Sequence, residues 1–283
     1  MNWNLATDRR AGDFAATFID EHVDEMAFLL EHRMSLLHRP MTRWPDVAPF
    51  DDRLLAQLNT WQAYGAVARL RSLEHVESAV HTDDFADGDT ITAMAYALGS
   101  GLTAPNDAGP LLELIVVSPE AMLPAWEQGL RMATGHALDP ALHEALERAP
   151  PSIMRMLIST LGWRRQVQGE VVLRGFATRP LHVQETAALA LAKVGLSSAA
   201  PMLRKALSKH PGSVPLATAL LVLGDMTTWG HVRALASEHQ PPPGALRLLA
   251  MRGELGDQEL LRRAPDSLEA VTAMGILGSP ELV

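Results

Sequence analysis

The chain has 283 residues, 47% of them hydrophobic and 20% charged, with a formal net charge of -9 and no cysteine. That balance excludes a disordered chain, and the lack of cysteine excludes disulfides, thiolate metal sites and a cysteine nucleophile. Residues 1–150 carry 10 Lys plus Arg against 23 Asp plus Glu, a net of -13, while residues 151–283 carry 14 against 10, a net of +4, so the acidic half argues against nucleic acid as a ligand.

Phe14, Phe18, Met26, Leu29, Leu30, Met34 and Leu37 are spaced by three, four or their multiples, which predicts a long amphipathic helix over residues 13–37, ended by Pro40 and Pro45. A second helix is expected from about Asp51 to Val80, with Leu54, Leu58, Trp61, Val67 and Leu70 on one stripe and Asp51 or Asp52 as N-cap. Together they read as a two-helix cap over residues 1–82, because the terminal repeat of a stacked array must cover an apolar end.

From residue 83 onward helix pairs follow one another. Ile91 to Leu98 is an apolar helix stopped at Gly99 and Gly101, Gly109 to Val117 resumes, and Ser118-Pro119-Glu120 reads as a cap with a first-turn proline. Asp139-Pro140 starts a helix through Arg148, and Ser152 caps another that Gly162 ends. The register then tightens: Gly195, Gly224 and Gly253 lie 29 residues apart, Leu191, Leu220 and Leu249 stand four before them, and Leu203, Val232 and Leu261 stand eight after. Helix-ending glycines at 99, 129, 162, 195, 224, 253 and 278 give intervals of 30, 33, 33, 29, 29 and 25, which fit short HEAT-like helix pairs. Alanines in the run 185–194 allow close helix approach, Gly195 takes a left-handed turn, and Ser198, Ser213 and Asp257 are the expected starts of partner helices. The expected fold is all-α, a right-handed α-solenoid over residues 83–283 behind its N-terminal cap.

Gly278-Ser279-Pro280-Glu281 opens one more turn and cap, followed by only Leu282 and Val283. Either a partner covers this end or the sequence is part of a longer chain. The longest apolar runs, near Val214 to Leu223 and Ala187 to Leu191, fall below the roughly 20 residues that span a bilayer. Met1 to Arg10 lack the apolar stretch of a secretory signal, so a cytoplasmic location is expected.

Candidate binding residues come from two clusters. Glu74, Glu77, Asp83, Asp84, Asp87 and Asp89 form an acidic stretch that can clamp a basic partner and steer its approach, or simply be a solvated loop. Trp163-Arg164-Arg165 joins an aromatic to two cations, an anchor for an acidic partner or a helix end that complements its own dipole. Of the remaining tryptophans, Trp44, Trp61 and Trp126 read as fillers between helix pairs, and Trp229 beside Gly230 as filler or anchor. Asp20, Glu21, His22, Asp24 and Glu25 crowd one helical face but hold a single imidazole, and residues 83–89 depart from the alternation of a calcium loop. No metal and no cofactor are expected. No nucleophile elbow, phosphate-cradling loop or zinc-binding helix motif appears, so the chain is not read as an enzyme. HEAT-like lyases and DNA glycosylases leave catalysis open by analogy alone.

The run Glu21-His22-Val23-Asp24-Glu25-Met26-Ala27-Phe28-Leu29-Leu30-Glu31-His32-Arg33, followed by Asp51-Asp52-Arg53-Leu54-Leu55-Ala56-Gln57-Leu58, resembles the N-terminal signature of a bacterial HEAT-like family found near type VI secretion effectors and their adaptors. The resemblance covers most of the chain, which is shorter than typical members. It implies an accessory role: an immunity protein that binds and neutralises a co-encoded toxin, with an effector adaptor, a chaperone or a structural scaffold as alternatives. It carries no catalytic residues. The expected partner is another protein, a basic toxin or secretion effector, with no nucleic acid and no membrane.

Overall fold

The computed structural model describes residues 9–39, 41–81, 88–252, 254–263 and 268–277. Those residues form sixteen α-helices joined by turns and short 3-10 segments, with no strand among them. No helix among them is long and apolar enough to cross a membrane. Contacts divide the chain into two compact units, Met1–Arg164 and Arg165–Val283.

In the first unit the long opening helix, α1 (Arg9–Leu37), forms as its periodicity requires and buries Ile19, Val23, Met26, Leu29 and Leu30. The second expected helix is two. α2 (Trp44–Ala63) begins ahead of Asp51, with Pro45 in its first turn and the Arg43 N–H donating to Asp46 Oδ2 at 2.8 Å. Asp51 is therefore no N-cap; it accepts from Arg33 Nε at 2.6 Å and ties α2 to α1. Gly65, at φ +55°, separates α2 from α3 (Ala66–His81), because a left-handed residue interrupts a helix whatever the stripe on either side. Trp61 Nε1 donates to the Ser72 hydroxyl across the bend at 3.1 Å. α1 and α3 pack on α4 (Gly88–Ser100), so the segment expected as a cap shares a unit with the helices beyond residue 83.

α4, α6 (Leu123–Met132) and α8 (Pro151–Trp163) pack in succession. α4 is buried on every side from Ile91 to Ser100, and burial pushes the Tyr96 phenol up to about 12. α4 and α8 end one residue beyond Gly99 and Gly162, close to where spacing predicts, whereas Gly129 lies three residues inside the end of α6. Gly129 instead sets the α4–α6 approach: a Cβ there would overlap the Thr92 carbonyl oxygen and stand 2.6 Å from Ala95 Cβ and 2.9 Å from Tyr96 N. α5 (Gly109–Val117) packs on α3, α7 (Leu138–Leu146) packs on α8, and the 3-10 turn Pro105–Ala108 touches both α5 and α7.

The second unit holds α9 (Gly169–Leu173), α10 (Leu181–Lys193), α11 (Ala200–Lys209), α12 (Val214–Val222), α13 (Thr228–Ala236), α14 (Ala245–Arg252), α15 (Gln258–Arg263) and α16 (Leu268–Leu277). α10 packs on α12 and α14 on α16, with α11 and α13 against α12. Here the 29-residue register has a structural counterpart. Gly195 and Gly224 have φ +72° and +87°, and each closes a Schellman turn: Leu196 N–H donates to Leu191 O at 3.1 Å, and Asp225 N–H to Leu220 O at 2.9 Å. Leu191, Leu220, Leu249, Leu203, Val232 and Leu261 are all buried. Ser213 caps α12 by accepting from the Leu216 N–H at 3.3 Å, whereas Ser198 lies in a 3-10 turn and α11 begins at Ala200 without a side-chain cap. Gly253 and residues 278–283 lie outside the described residues.

The same register carries a polar tie. Arg204 and Arg233 stand nine residues after Gly195 and Gly224, and each reaches a carboxylate beyond the following helix: Arg204 Nε lies 2.6 Å from Asp225 Oδ2, and Arg233 Nε 3.3 Å from Asp257 Oδ1. Hydrogen bonds from the Thr227 hydroxyl and Arg204 hold the Asp225 carboxyl below the usual carboxylate range.

Candidate functional site

Between α5 and α7 the first unit carries a groove of about 650 Å³. Each wall is a single helical stripe: Gly109, Leu112, Glu113 and Val116 on α5, and Ala141, Glu144, Ala145 and Arg148 along α7 and the turn after it. Both sets follow the i, i+3, i+4, i+7 spacing of one helix face. Ile115, Ile153 and Leu157 are buried beneath them. Glycine and alanine on the walls leave width, and the volume lies within the roughly 300–1,000 Å³ of ligand-binding clefts.

α5, like α12 in the second unit, is apolar along nearly its whole length. Its sequence, GPLLELIVV, is apolar apart from Glu113, and a helix apolar nearly all round belongs in a core. Yet Val116 and Val117 are 54% and 57% exposed.

The unit's arginines are mostly paired, while exposed carboxylates such as Glu21, Asp24, Glu31, Asp52 and Glu120 are not, and the charges beside the groove are of the second kind. Arg33, Arg71 and Arg164 are engaged by Asp51, Asp20 and Asp139, and Arg53 and Arg131 by Glu25 and Glu127. Glu113, Glu144 and Arg148 are exposed, and their side chains enter no ion pair or hydrogen bond among the described residues. At the end lined by Pro105 and Asn106, the Asp107 carboxylate accepts from Thr103 Oγ1 at 2.7 Å and from the Ala104 N–H at 3.0 Å. Those bonds hold the Asp107 carboxyl below its ordinary range and fix the turn that closes the groove. The unit around it contains 12 arginines, no lysine and 23 acidic residues, a net of -11, against +2 for the second unit.

None of the six candidate residues that the structure describes, Glu74, Glu77, Asp89, Trp163, Arg164 and Arg165, lines this groove. Glu74 and Glu77 are exposed on α3, Asp89 is half-buried in the first turn of α4, and Asp83, Asp84 and Asp87 lie outside the described residues. Trp163 is 58% exposed at the end of α8, with the Arg131 guanidinium 5.4 Å from its ring centre and the Ser159 hydroxyl 2.7 Å from that guanidinium. Arg164 is engaged inside the unit. Its Nε donates to Asp139 Oδ1 at 2.5 Å, Nη2 to Asp139 Oδ2 and Gly135 O at 3.2 Å each, and Nη1 to the carbonyls of Ala133 and Leu130. With its donors facing the end of α6 and the start of α7, it holds that corner together. Arg165 takes φ +57°.

The acidic crowd near His22 is dispersed among separate partners. Asp20 accepts from Arg71 at 2.7 and 3.1 Å, Glu25 from Arg53, and His22 Nδ1 meets the Gln57 side chain. Among the described residues no three metal-ligating side chains come together.

The residues of the groove carry no motif. The available signal was α5 itself, a short helix with one charge and two consecutive valines at its end. No protein family, curated protein or solved structure matches this chain.

Proposed function

We propose that this chain is a non-catalytic helical-repeat protein that binds another protein stoichiometrically, acting as an immunity protein that neutralises a co-encoded basic toxin in the cytoplasm. The observation that carries the reading is the apolar groove between α5 and α7, flanked by uncommitted glutamates in a unit of net charge -11. Apolar surface held open on a folded domain marks an interaction site, and a strong field of one sign favours a partner of the other. The succession of packed alternate helices and the recurring Schellman turn at Gly195 and Gly224 support a right-handed solenoid of helix pairs as the frame.

The test has two stages. Affinity-tagged chain is co-expressed with the products of neighbouring genes, and captured proteins are identified by mass spectrometry. The captured toxin is then induced in cells with and without this chain. Growth restored at equimolar expression supports immunity. Capture without protection assigns an adaptor or chaperone that loads an effector, and failure to capture any neighbouring product removes the reading.

A further inference from the structure

We infer that the groove between α5 and α7 receives one amphipathic helix of the partner, apolar on the face turned inward and flanked by lysine or arginine. The inference rests on the protein-binding reading above and names what that surface recognises.

Two helical walls over an apolar floor make the geometry of helix-in-groove recognition, in which a helix lays anchors at i, i+3, i+4 and i+7 between two others. The small side chains of Gly109, Ala141 and Ala145 leave the space such a helix fills. The two walls also share a polar feature. Each carries one glutamate within its stripe, Glu113 on α5 and Glu144 on α7, and neither enters an ion pair among the described residues. A helix lying between them with a basic residue on each flank meets a carboxylate on each side. Arg148, one turn beyond Glu144 on the same stripe, is the opposite charge at one end and disfavours a cation there. The pattern therefore selects direction as well as sign, since rim charges suppress mismatched pairing more than they add affinity.

The probe is a fluorescein-labelled 18-residue synthetic helix with leucines at i, i+3, i+4 and i+7 and lysines on both flanks, beside a twin whose lysines are glutamates. Fluorescence anisotropy with the full chain is expected to show saturable binding of the lysine peptide, at least tenfold tighter than its twin. Val116→Asp, at an exposed position, should weaken it tenfold or more, and Glu113→Lys with Glu144→Lys should reverse the order of the two peptides. Circular dichroism checks that both variants remain folded. Absence of saturable binding, equal binding of both peptides, or binding that neither variant changes overturns the inference. So does an apolar dye that saturates the groove and is not displaced by the lysine peptide, the outcome expected of a small-molecule cleft. Failure here with continued capture of a neighbouring gene product would relocate the contact and leave the protein-binding reading standing; loss of that capture alone would remove the broader reading.

Discussion

Glycines of the same sequence period, Gly129 in one unit and Gly195 and Gly224 in the other, serve opposite physical purposes. In the first, Gly129 sits mid-helix with ordinary backbone, and its missing Cβ lets α6 lie against the α4 backbone at Thr92 and Tyr96. In the second, Gly195 and Gly224 sit beyond helix ends at positive φ with nothing within 4 Å of a built Cβ. One residue type supplies proximity in one place and a backbone conformation in the other, and a spacing rule that counts glycines cannot tell them apart. The comparison teaches that periodic glycine reports a repeat only where its job is conformational.

The largest effect that would break this contrast is at Gly129. Alanine is the better helix former by about 1 kcal/mol, but overpacking against a fixed neighbour costs up to about 3 kcal/mol. Gly129→Ala is therefore expected to destabilise by roughly 2 kcal/mol, with faster amide exchange in α4 and α6 and none added in α10 to α12. A stabilised variant would mean that the α4–α6 distance is set elsewhere. Arg164→Lys follows in size. An ammonium cannot reproduce the forked contact with Asp139 and the carbonyls of Gly135, Ala133 and Leu130, so a loss of about 1.5 kcal/mol is expected in urea unfolding. If Arg164→Lys leaves that midpoint unchanged while abolishing partner capture, the residue acts at the binding surface and not in the fold.

Helix content was legible because each apolar stripe repeats at three and four, and the second unit's register was legible because its glycines and core leucines obey one period together. The break at Gly65 was hidden, since Leu58, Trp61 and Val67 continue a stripe across it. The arginine tie was in plain view, nine residues after each repeat glycine, but its value depends on Asp225 and Asp257, whose spacing from the arginines differs, 21 and 24 residues. The groove was not legible for a different reason. It is made by what α5 and α7 leave empty between them, and empty space has no residue type. Charge made the acidic stretch conspicuous in the sequence, while Glu113 and Glu144 are single charges whose meaning comes only from facing each other across an apolar floor.

The smallest effects sharpen the comparison most. Arg165 is the only described residue other than glycine at positive φ, and it precedes Gly195 by 30 residues, as Gly195 precedes Gly224 by 29. Beside Gly65, Gly175 and Gly244, the left-handed residues spaced by about 30 are 165, 195 and 224, with arginine at the first place and glycine at the other two. Gly195→Ala should cost about 1 kcal/mol through backbone strain alone, because the added Cβ meets no neighbour. Arg165→Gly should do the reverse. It relieves a strain of roughly 1 kcal/mol and returns part of that as freedom of the unfolded chain, for a net gain of about 0.5 kcal/mol. Paired thermal unfolding of the two variants should move the midpoint in opposite directions. Equal loss in both would show that Arg165 is held by its side chain, and the turn at 165 would then leave the series.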